Sequence, residues 1–342
     1  MLSKDNDLTV VYNGKEDYKR NKEWFSENKP QYKEIYLKKF ILFDLLKTLN
    51  NKYDAIVLGD YASKMGALTT YILRLKKQSY YLHADGGIIN DGDSFLSKFL
   101  KTHFISKATY YLSSGQKTNE YLIHYGANPN NIFNYPFTSL LKEDILDKPI
   151  KYEEKVILRN NKGYRYKRLF VSVGSFIKRK GYDLFFEALS KCHLEDTGFL
   201  IIGGGKEKNN YINLIKKYNL KNIHLIDFCS KKEIYNYLKM SDVFFFPSRE
   251  DIWGLVINEA MACGLPIISS DNVVAAIELI DTKYIYPVQD TTKQANLIIY
   301  MSSLNYEDLY NIGYTNSCTI KNYSLEKMAY SYEKILFKNL SH

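Results

Sequence analysis

Two short stretches hold residues whose types and spacing suit chemistry. SREDIWGLVINEAMACGLPII, Ser248 to Ile268, sets two carboxylates, Asp251 and Glu259, on either side of Gly254. Carboxylates only accept hydrogen bonds, which suits recognition of sugar and ribose hydroxyls. VSVGSFIKRKGYDLFFEAL, Val171 to Leu189, places three consecutive cations, Lys178, Arg179 and Lys180, between Gly174-Ser175 and Gly181. A basic loop between a strand and a helix presents charge to phosphate at the tip of a sheet. A third piece, IIGGGKE, puts Gly203, Gly204 and Gly205 in a tight turn. Each alone has a plainer reading: Glu259 pairs locally, Asp251 faces solvent, and the basic loop is solvated surface. Together they describe a clamp for a diphosphate carrying a sugar.

The flanking pattern places these residues. DVFFFP and LPIISS read as buried strands, and Leu255 to Cys263 as a short helix, with Gly264 at its C′ position and Pro266 just beyond. That helix starts at the carboxyl end of a parallel strand, where open α/β sheets bind ligands. Its unpaired N–H groups favour a diphosphate, and Gly254 allows close backbone approach. RLFVSVGS leads as a strand into the basic loop, GYDLFFEALSK follows as a helix, and FLIIGGG and HLIDF add strands. Near-continuous apolar strands are expected where a parallel sheet is covered on both faces.

The first half alternates in the same way. DLTVVYN, YDAIVLGD, SYYLHADGG, SKATYYLSSG and NIFNYPF read as strands, and SKMGALTTYILRLKK as an amphipathic helix. The end of SYYLHADGG presents His83, Asp85, Gly86 and Gly87, and Asp60 ends YDAIVLGD. Residues 142–168 are charged and weakly periodic. The expected organisation is therefore a first Rossmann-like domain over 1–150, a linker over 151–168, a second such domain over 169–325, and a closing helix over 326–342 that packs back on the first domain. Only MLSKDN precedes DLTVVYN, so the first domain is expected to lack its first βα unit.

At 342 residues with 45% apolar content, the chain can bury two cores. Its net charge of +9 is scattered, with no nucleic-acid arm, and fits an anionic substrate or an anionic membrane surface. Cys192, Cys229, Cys263 and Cys318 lie far apart, without the pairing of a zinc site or a disulfide framework. No signal peptide opens the chain and no run is long enough to span a bilayer. No G-x-G-x-x-G opens a helix, which disfavours a nicotinamide dehydrogenase.

From Leu169 to about Ile280 the chain resembles the C-terminal domain of glycosyltransferase family 4, the retaining enzymes of glycosyl transferases group 1. VGSFIKRKGYD, IIGGG, FCSKKEIYNYLKMSDVFFFPS and EDIWGLVINEAMACGLPII carry the likeness. It implies the α/β GT-B fold, two Rossmann-like doubly wound domains facing a cleft, and transfer of a sugar from a UDP-, GDP- or similar donor with retention, without metal or cofactor. Carried over by position, Lys180 would hold the diphosphate, with Arg179 standing in for a second cation where this chain has Ser175. Glu259 would bind the ribose and Asp251, where the family commonly has Glu, the transferred sugar. Backbone N–H groups of Trp253, Gly254, Leu255 and Val256 would meet phosphates and sugar, with Gly174 and Gly204 leaving room and Phe228 and Cys229 edging the base. His83, Asp85, Lys180 and Asp251 are expected at the reacting centre. The acceptor would be a glycan or glycolipid of surface polysaccharide assembly, and the protein cytoplasmic with peripheral contact on the inner membrane face. The rival readings are a truncated or non-catalytic nucleotide-sugar-binding subunit and, more remotely, a nucleotide-sugar 2-epimerase, whose family lacks the EDIWGLVINEAMA segment.

Overall fold

The structure is a computed structural model and describes residues 1–13, 31–37, 41–90 and 92–338. The chain divides into two compact units, Met1–Phe137 with Leu325–His342, and Thr138–Ser324. The first contains β1 (Thr9–Tyr12), β2 (Lys33–Tyr36), α1 (Ile41–Thr48), β3 (Val57–Leu58), α2 (Lys64–Leu75), β4 (Tyr81–Ala84), α3 (Phe95–Ile105), β5 (Tyr110–Ser113), α4 (Gln116–His124) and β6 (Ile132–Asn134). The second contains α5 (Tyr152–Asn161), β7 (Arg168–Val173), α6 (Tyr182–Leu189), β8 (Thr197–Ile202), α7 (Lys208–Lys217), β9 (Ile223–Ile226), α8 (Lys231–Met240), β10 (Val243–Phe246), α9 (Leu255–Ala262), β11 (Ile267–Ser270), α10 (Val274–Leu279), β12 (Ile285–Tyr286), α11 (Thr291–Ser303) and α12 (Tyr306–Ile320). The last helix, α13 (Leu325–Lys338), belongs to the first unit.

In the second unit six parallel strands run in the order β12-β11-β10-β7-β8-β9. The chain winds outward from β7 through β8 and β9, then returns to the other side of β7 with β10. β7 and β10 are therefore neighbours at the point where the winding reverses, the site at which such sheets leave a crevice at their carboxyl ends. β8, β10 and β11 are buried at every residue and β7 at all but its last, as two-sided coverage requires. Phe185 of α6 stacks on Phe245 of β10, ring centroids 4.0 Å apart, which locks that helix across the sheet. Burying such a ring contributes about 2–3 kcal/mol.

The stretch expected to be a linker is instead largely helical. α5 covers Tyr152–Asn161, and its two cations, Lys155 and Arg159, are buried and bonded, while Glu153 and Glu154 in its first turn are exposed. Arg159 donates from Nη2 to Oδ1 of Asp242 at 2.7 Å, while Oδ2 of that carboxylate accepts from the Leu169 backbone N–H. Lys155 donates to the Ser241 carbonyl at 2.7 Å. These bonds pin α5 beside β7 and β10. The polarity that resembled a linker serves internal bonding, which composition cannot distinguish from exposure.

The first unit departs further from expectation. Its main sheet has four parallel strands, β3-β4-β5-β6, while β1 and β2 pair parallel as a separate two-stranded sheet. Residues of β1 and β3 both line a cavity of about 500 Å³, so the two sheets are separated by a gap and not by a shared hydrogen-bonded edge. YDAIVLGD supplies only the two-residue β3, because its polar end turns into α2. The Asp60 carboxylate accepts from the backbone N–H groups of Ala62 at 2.7 Å and Ser63 at 3.2 Å, and Ser63 caps α2 through the Gly66 N–H. Asp60 thus shapes a helix entry. Among the described residues no helix is long and apolar enough to cross a membrane.

Candidate functional site

In the second unit the loops after β7 and β10 are laced together. Arg249 N donates to the Arg179 carbonyl at 2.8 Å, and Arg179 Nη1 donates to the Glu250 carbonyl at 2.6 Å. The Arg249 guanidinium forks onto both oxygens of Asp183, at 2.6 and 2.7 Å, at the start of α6. Burial alone would raise the Asp183 carboxyl, but the Arg249 fork and the helix backbone hold it below the usual range. Gly181 permits this approach: its φ is +69°, and an added Cβ would lie 2.0 Å from the Pro247 carbonyl oxygen.

Lys180 is carried across that seam. Its ammonium hydrogen-bonds Oδ2 of Asp251 and lies 4.7 Å from the centre of the Phe246 ring. Both partners are largely shielded, with 12% and 13% of their side chains exposed. Burial pushes the Lys180 ammonium below the ordinary lysine value, against the pull of Asp251, and Arg179 adds to the lowering. Arg179 approaches the same carboxylate oxygen at 3.7 Å while half-exposed. Gly174 lies beneath: an added Cβ would come within 3.6 Å of the Lys180 stem. Ser175 is exposed beside it.

Asp251 is anchored by its own backbone, its N–H donating to the Asn272 carbonyl at 2.9 Å and its carbonyl accepting from Val274 at 3.2 Å. Gly254, at φ +96°, turns the chain into α9. The N–H groups of Leu255 and Val256, in the first turn of α9, lie beyond the reach of intrahelical acceptors and are the positive end of its dipole. Trp253 contributes no ring to this surface. Its side chain is buried, with Nε1 donating to Asn258 Oδ1 at 3.0 Å, so only its backbone is available to a ligand.

Glu259, one turn along α9, is partly buried and has no hydrogen-bond or ion-pair partner among the described residues. Burial raises its carboxyl to about 7; Asp144 adds to the shift and Lys231 opposes it. A shielded acceptor with nothing to accept from suits a ligand with hydroxyl donors. Gly204 faces open space at the end of β8. Phe228 and Cys229 follow β9, with Phe228 45% exposed and the Cys229 thiol donating to the Asp227 carbonyl. Ser230 then starts α8 with a reciprocal cap on Glu233. A cavity of about 550 Å³ lined by Cys192, His193 and Asn222 lies at the opposite, amino-terminal ends of β8 and β9 and holds none of these residues.

In the first unit, the carboxyl end of β4 holds His83 with both ring nitrogens engaged. Nδ1 lies 2.9 Å from Oδ1 of Asp85 and Nε2 lies 2.6 Å from the Tyr135 hydroxyl. The imidazole stacks on Tyr135 at 5.2 Å and sits 5.8 Å from the Tyr332 ring of α13. Burial raises both tyrosine hydroxyls well above their usual value, so they remain protonated donors.

Tyr135, Tyr332, Arg249 and Asp183 were not singled out from sequence. Arg249 stands within the carboxylate segment and Asp183 within the basic one, but nothing in either stretch signals that they clasp. Tyr332 is remote from His83 in the chain, and only its place in the last helix connects them.

Residues 155–315 match the model of the family described as glycosyl transferases group 1. Over 111 residues the chain is 37% identical to the O-antigen biosynthesis glycosyltransferase WclY of Escherichia coli, covering 32% of this chain and 30% of that one. Over 179 residues it is 30% identical to N-acetyl-alpha-D-glucosaminyl L-malate synthase of Bacillus anthracis, covering 50% and 45%. The matched stretches thus span less than half of these relatives. Among solved structures, sucrose-phosphate synthase from Thermosynechococcus elongatus superposes with a TM-score of 0.73 at 16% identity, covering 98% of this chain and 89% of that one. Anabaena HepE, solved with UDP and glucose, gives 0.69 at 14% identity, covering 91% and 86%. Residues 155–315 are thus a glycosyl transferases group 1 domain, carried by a chain of the α/β GT-B fold class.

Proposed function

We propose that this protein transfers a sugar from a nucleoside diphosphate donor, UDP- or GDP-linked, to a glycan or glycolipid acceptor in surface polysaccharide assembly, with retention of anomeric configuration. The observation that carries the reading is the convergence of Lys180, Asp251 and the start of α9 at the β7–β10 reversal, beside the unpartnered Glu259. The relatives' names and HepE's bound UDP and glucose support the substrate class.

In this scheme Glu259 accepts from the ribose hydroxyls, and Phe228 and Cys229 edge the base. The diphosphate lies against Lys180, Arg179 and the N–H groups of Gly254, Leu255 and Val256, over Gly174, Ser175 and Gly204. Incoming phosphate draws Lys180 from Asp251, which frees that carboxylate for hydroxyls of the transferred sugar. The bond between the anomeric carbon and the diphosphate oxygen breaks as the acceptor oxygen bonds the same face of that carbon. The acceptor's proton passes to the departing phosphate oxygen, so no side-chain base is needed. Cations and the α9 dipole stabilise the charge that builds on the leaving group, with no metal or other cofactor. His83 and Asp85 serve the acceptor side, the imidazole held by Tyr135. We place the protein in the cytoplasm with peripheral contact on the inner membrane face.

Calorimetric titration with UDP, GDP, ADP and their sugar conjugates tests the donor site. One nucleotide binding at micromolar affinity, with binding lost in Glu259→Ala, supports it; no binding to any of them overturns it. Donor binding without transfer to any acceptor extract favours the binding-subunit reading.

A further inference from the structure

The first unit carries an apolar face that no described residue covers. On α3, Phe95 is 87% exposed, and Leu96, Phe99 and Leu100 are exposed with it. The four form two i, i+4 pairs, so they occupy one side of the helix. Leu75, at the end of α2, is 86% exposed, and Tyr71 one turn earlier is also exposed. The two helices adjoin here. The Tyr71 hydroxyl lies 2.9 Å from His103 Nε2, and the His103 ring stacks on Phe99 at 6.0 Å. Isolated exposed apolar side chains need no explanation, but an aromatic and aliphatic patch shared by two helices does.

Charge identifies what covers it. Residues 61–84, which contain α2, hold four lysines or arginines and no aspartate or glutamate. In 94–119, which contain α3, Lys101 and Lys117 pair with Asp93 and Glu120 just outside the segment, which leaves Lys98 and Lys107 as its net charge. Arg74 and Lys98 are exposed among the apolar residues, one turn from Tyr71 and from Phe95. The one carboxylate bonded to α3, Asp93, is neutralised by Lys101, and the exposed side with the apolar residues carries cations alone. A protein partner of ordinary composition would not require that. A bilayer with anionic headgroups does: the cations meet phosphate, and the phenyl and leucyl groups enter the headgroup–acyl boundary.

We propose that the face formed by α2 and α3 docks onto an anionic lipid bilayer, with Phe95, Leu96, Phe99 and Leu75 inserted and Arg74 and Lys98 at headgroup level. This locates the peripheral contact of the reading above on one surface of the first unit. It brings the protein to a plane in which a lipid-linked acceptor is confined, and it does not depend on which donor is used.

The test is co-sedimentation of the full chain with pure phosphatidylcholine vesicles and with vesicles that also contain phosphatidylglycerol. Expected is binding to the anionic vesicles, at least tenfold weaker on the neutral ones and weakened by salt. Lys98→Gln should lower partitioning about fivefold, and Phe95→Ser with Phe99→Ser at least tenfold. These side chains are exposed, so the variants should keep the wild-type melting temperature. Equal binding to both vesicles, no binding, or unchanged binding of the double variant overturns the proposal. So does a wild-type dimer in analytical ultracentrifugation that the double variant abolishes, because the face then belongs to a second copy. Nucleotide titration of the same samples separates the two readings. Vesicle binding lost with nucleotide binding intact condemns only this face, and the converse condemns only the donor site.

Discussion

Lys180 and Asp251, 71 residues apart in the chain, share a hydrogen bond at the carboxyl ends of adjacent strands β7 and β10. Each neutralises the other in a place that water barely reaches. A buried pair of this kind is weak evidence for stability, since desolvation cancels much of the attraction. In the proposed scheme its value lies in exchange: a diphosphate would replace Asp251 as the partner of Lys180, and sugar hydroxyls would replace Lys180 as partners of Asp251.

Removing the ammonium should therefore strike the chemical step. Lys180→Ala is expected to lower kcat by roughly 10²–10³, the usual loss when one donor to developing charge is removed. Steady-state and single-turnover assays with the identified donor measure this. Near-normal turnover would show that Arg179 and the α9 dipole suffice.

Glu259 gives two signatures in pH. Its carboxyl sits at about 7 in the folded protein against an ordinary 4.5, raised by burial. Below about pH 4.5 it is protonated folded and unfolded alike. Between there and 7 only the folded chain keeps the proton, so stability falls as pH rises through that window and levels off above it. The loss is on the order of 3 kcal/mol. Glu259→Gln should remove this component, becoming more stable than wild type at about pH 8 and equal to it near pH 4. Ribose hydroxyls favour the ionised acceptor, so nucleotide affinity should rise from about pH 6 to 8 in wild type and stay flat in the variant. Thermal melts and calorimetry across pH check both; a wild-type profile that parallels the variant refutes the assignment.

The Arg249–Asp183 fork makes the opposite prediction. Asp183 is held below its usual value, so its contribution is complete above about pH 4 and is lost as pH falls through its lowered folded value. The stability gap between wild type and Asp183→Asn should be widest near neutrality and close in acid. A gap independent of pH would mean the fork contributes packing and not charge.

Two glycines should separate stability from binding. Gly181→Ala forces a side chain into the left-handed region and against the Pro247 carbonyl, and should cost ~1–3 kcal/mol with a lowered Tm. Gly204→Ala meets nothing within 4 Å and should melt as wild type does, while a weaker nucleotide affinity would place the ligand against that turn. Unaltered affinity would remove Gly204 from the donor surface.

Tyr135→Phe releases Nε2 of His83 while leaving the ring stack. Nucleotide binding should be unchanged and transfer reduced roughly ten- to a hundredfold, as expected when a positioned group loosens. Equal turnover would assign the Tyr135–His83 bond to stability alone.

Much of the second unit was legible from local pattern. An apolar run such as Val243 to Phe246 can only be a strand buried on both faces, and α9 ends at a left-handed glycine, Gly264, with proline beyond. Segments of that kind carry their own instructions because propensity, caps and hydrophobic period are local. Glu259 and Asp251 were recognisable because both lie in one such segment. What the second unit's tertiary structure decided is every relationship across segments. The strand order made β7 and β10 neighbours and so joined Lys180 to Asp251 and Arg249 to Asp183. The burial of Arg159 against Asp242 turned an apparent linker into a core helix. In the first unit, strands of two to four residues hold too few side chains to specify their neighbours, so the split into two sheets and the place of Tyr332 beside His83 were beyond any local reading. Sequence determines which elements form because their energetics run over a few residues; which elements meet is settled by packing and charge pairing summed over the whole chain.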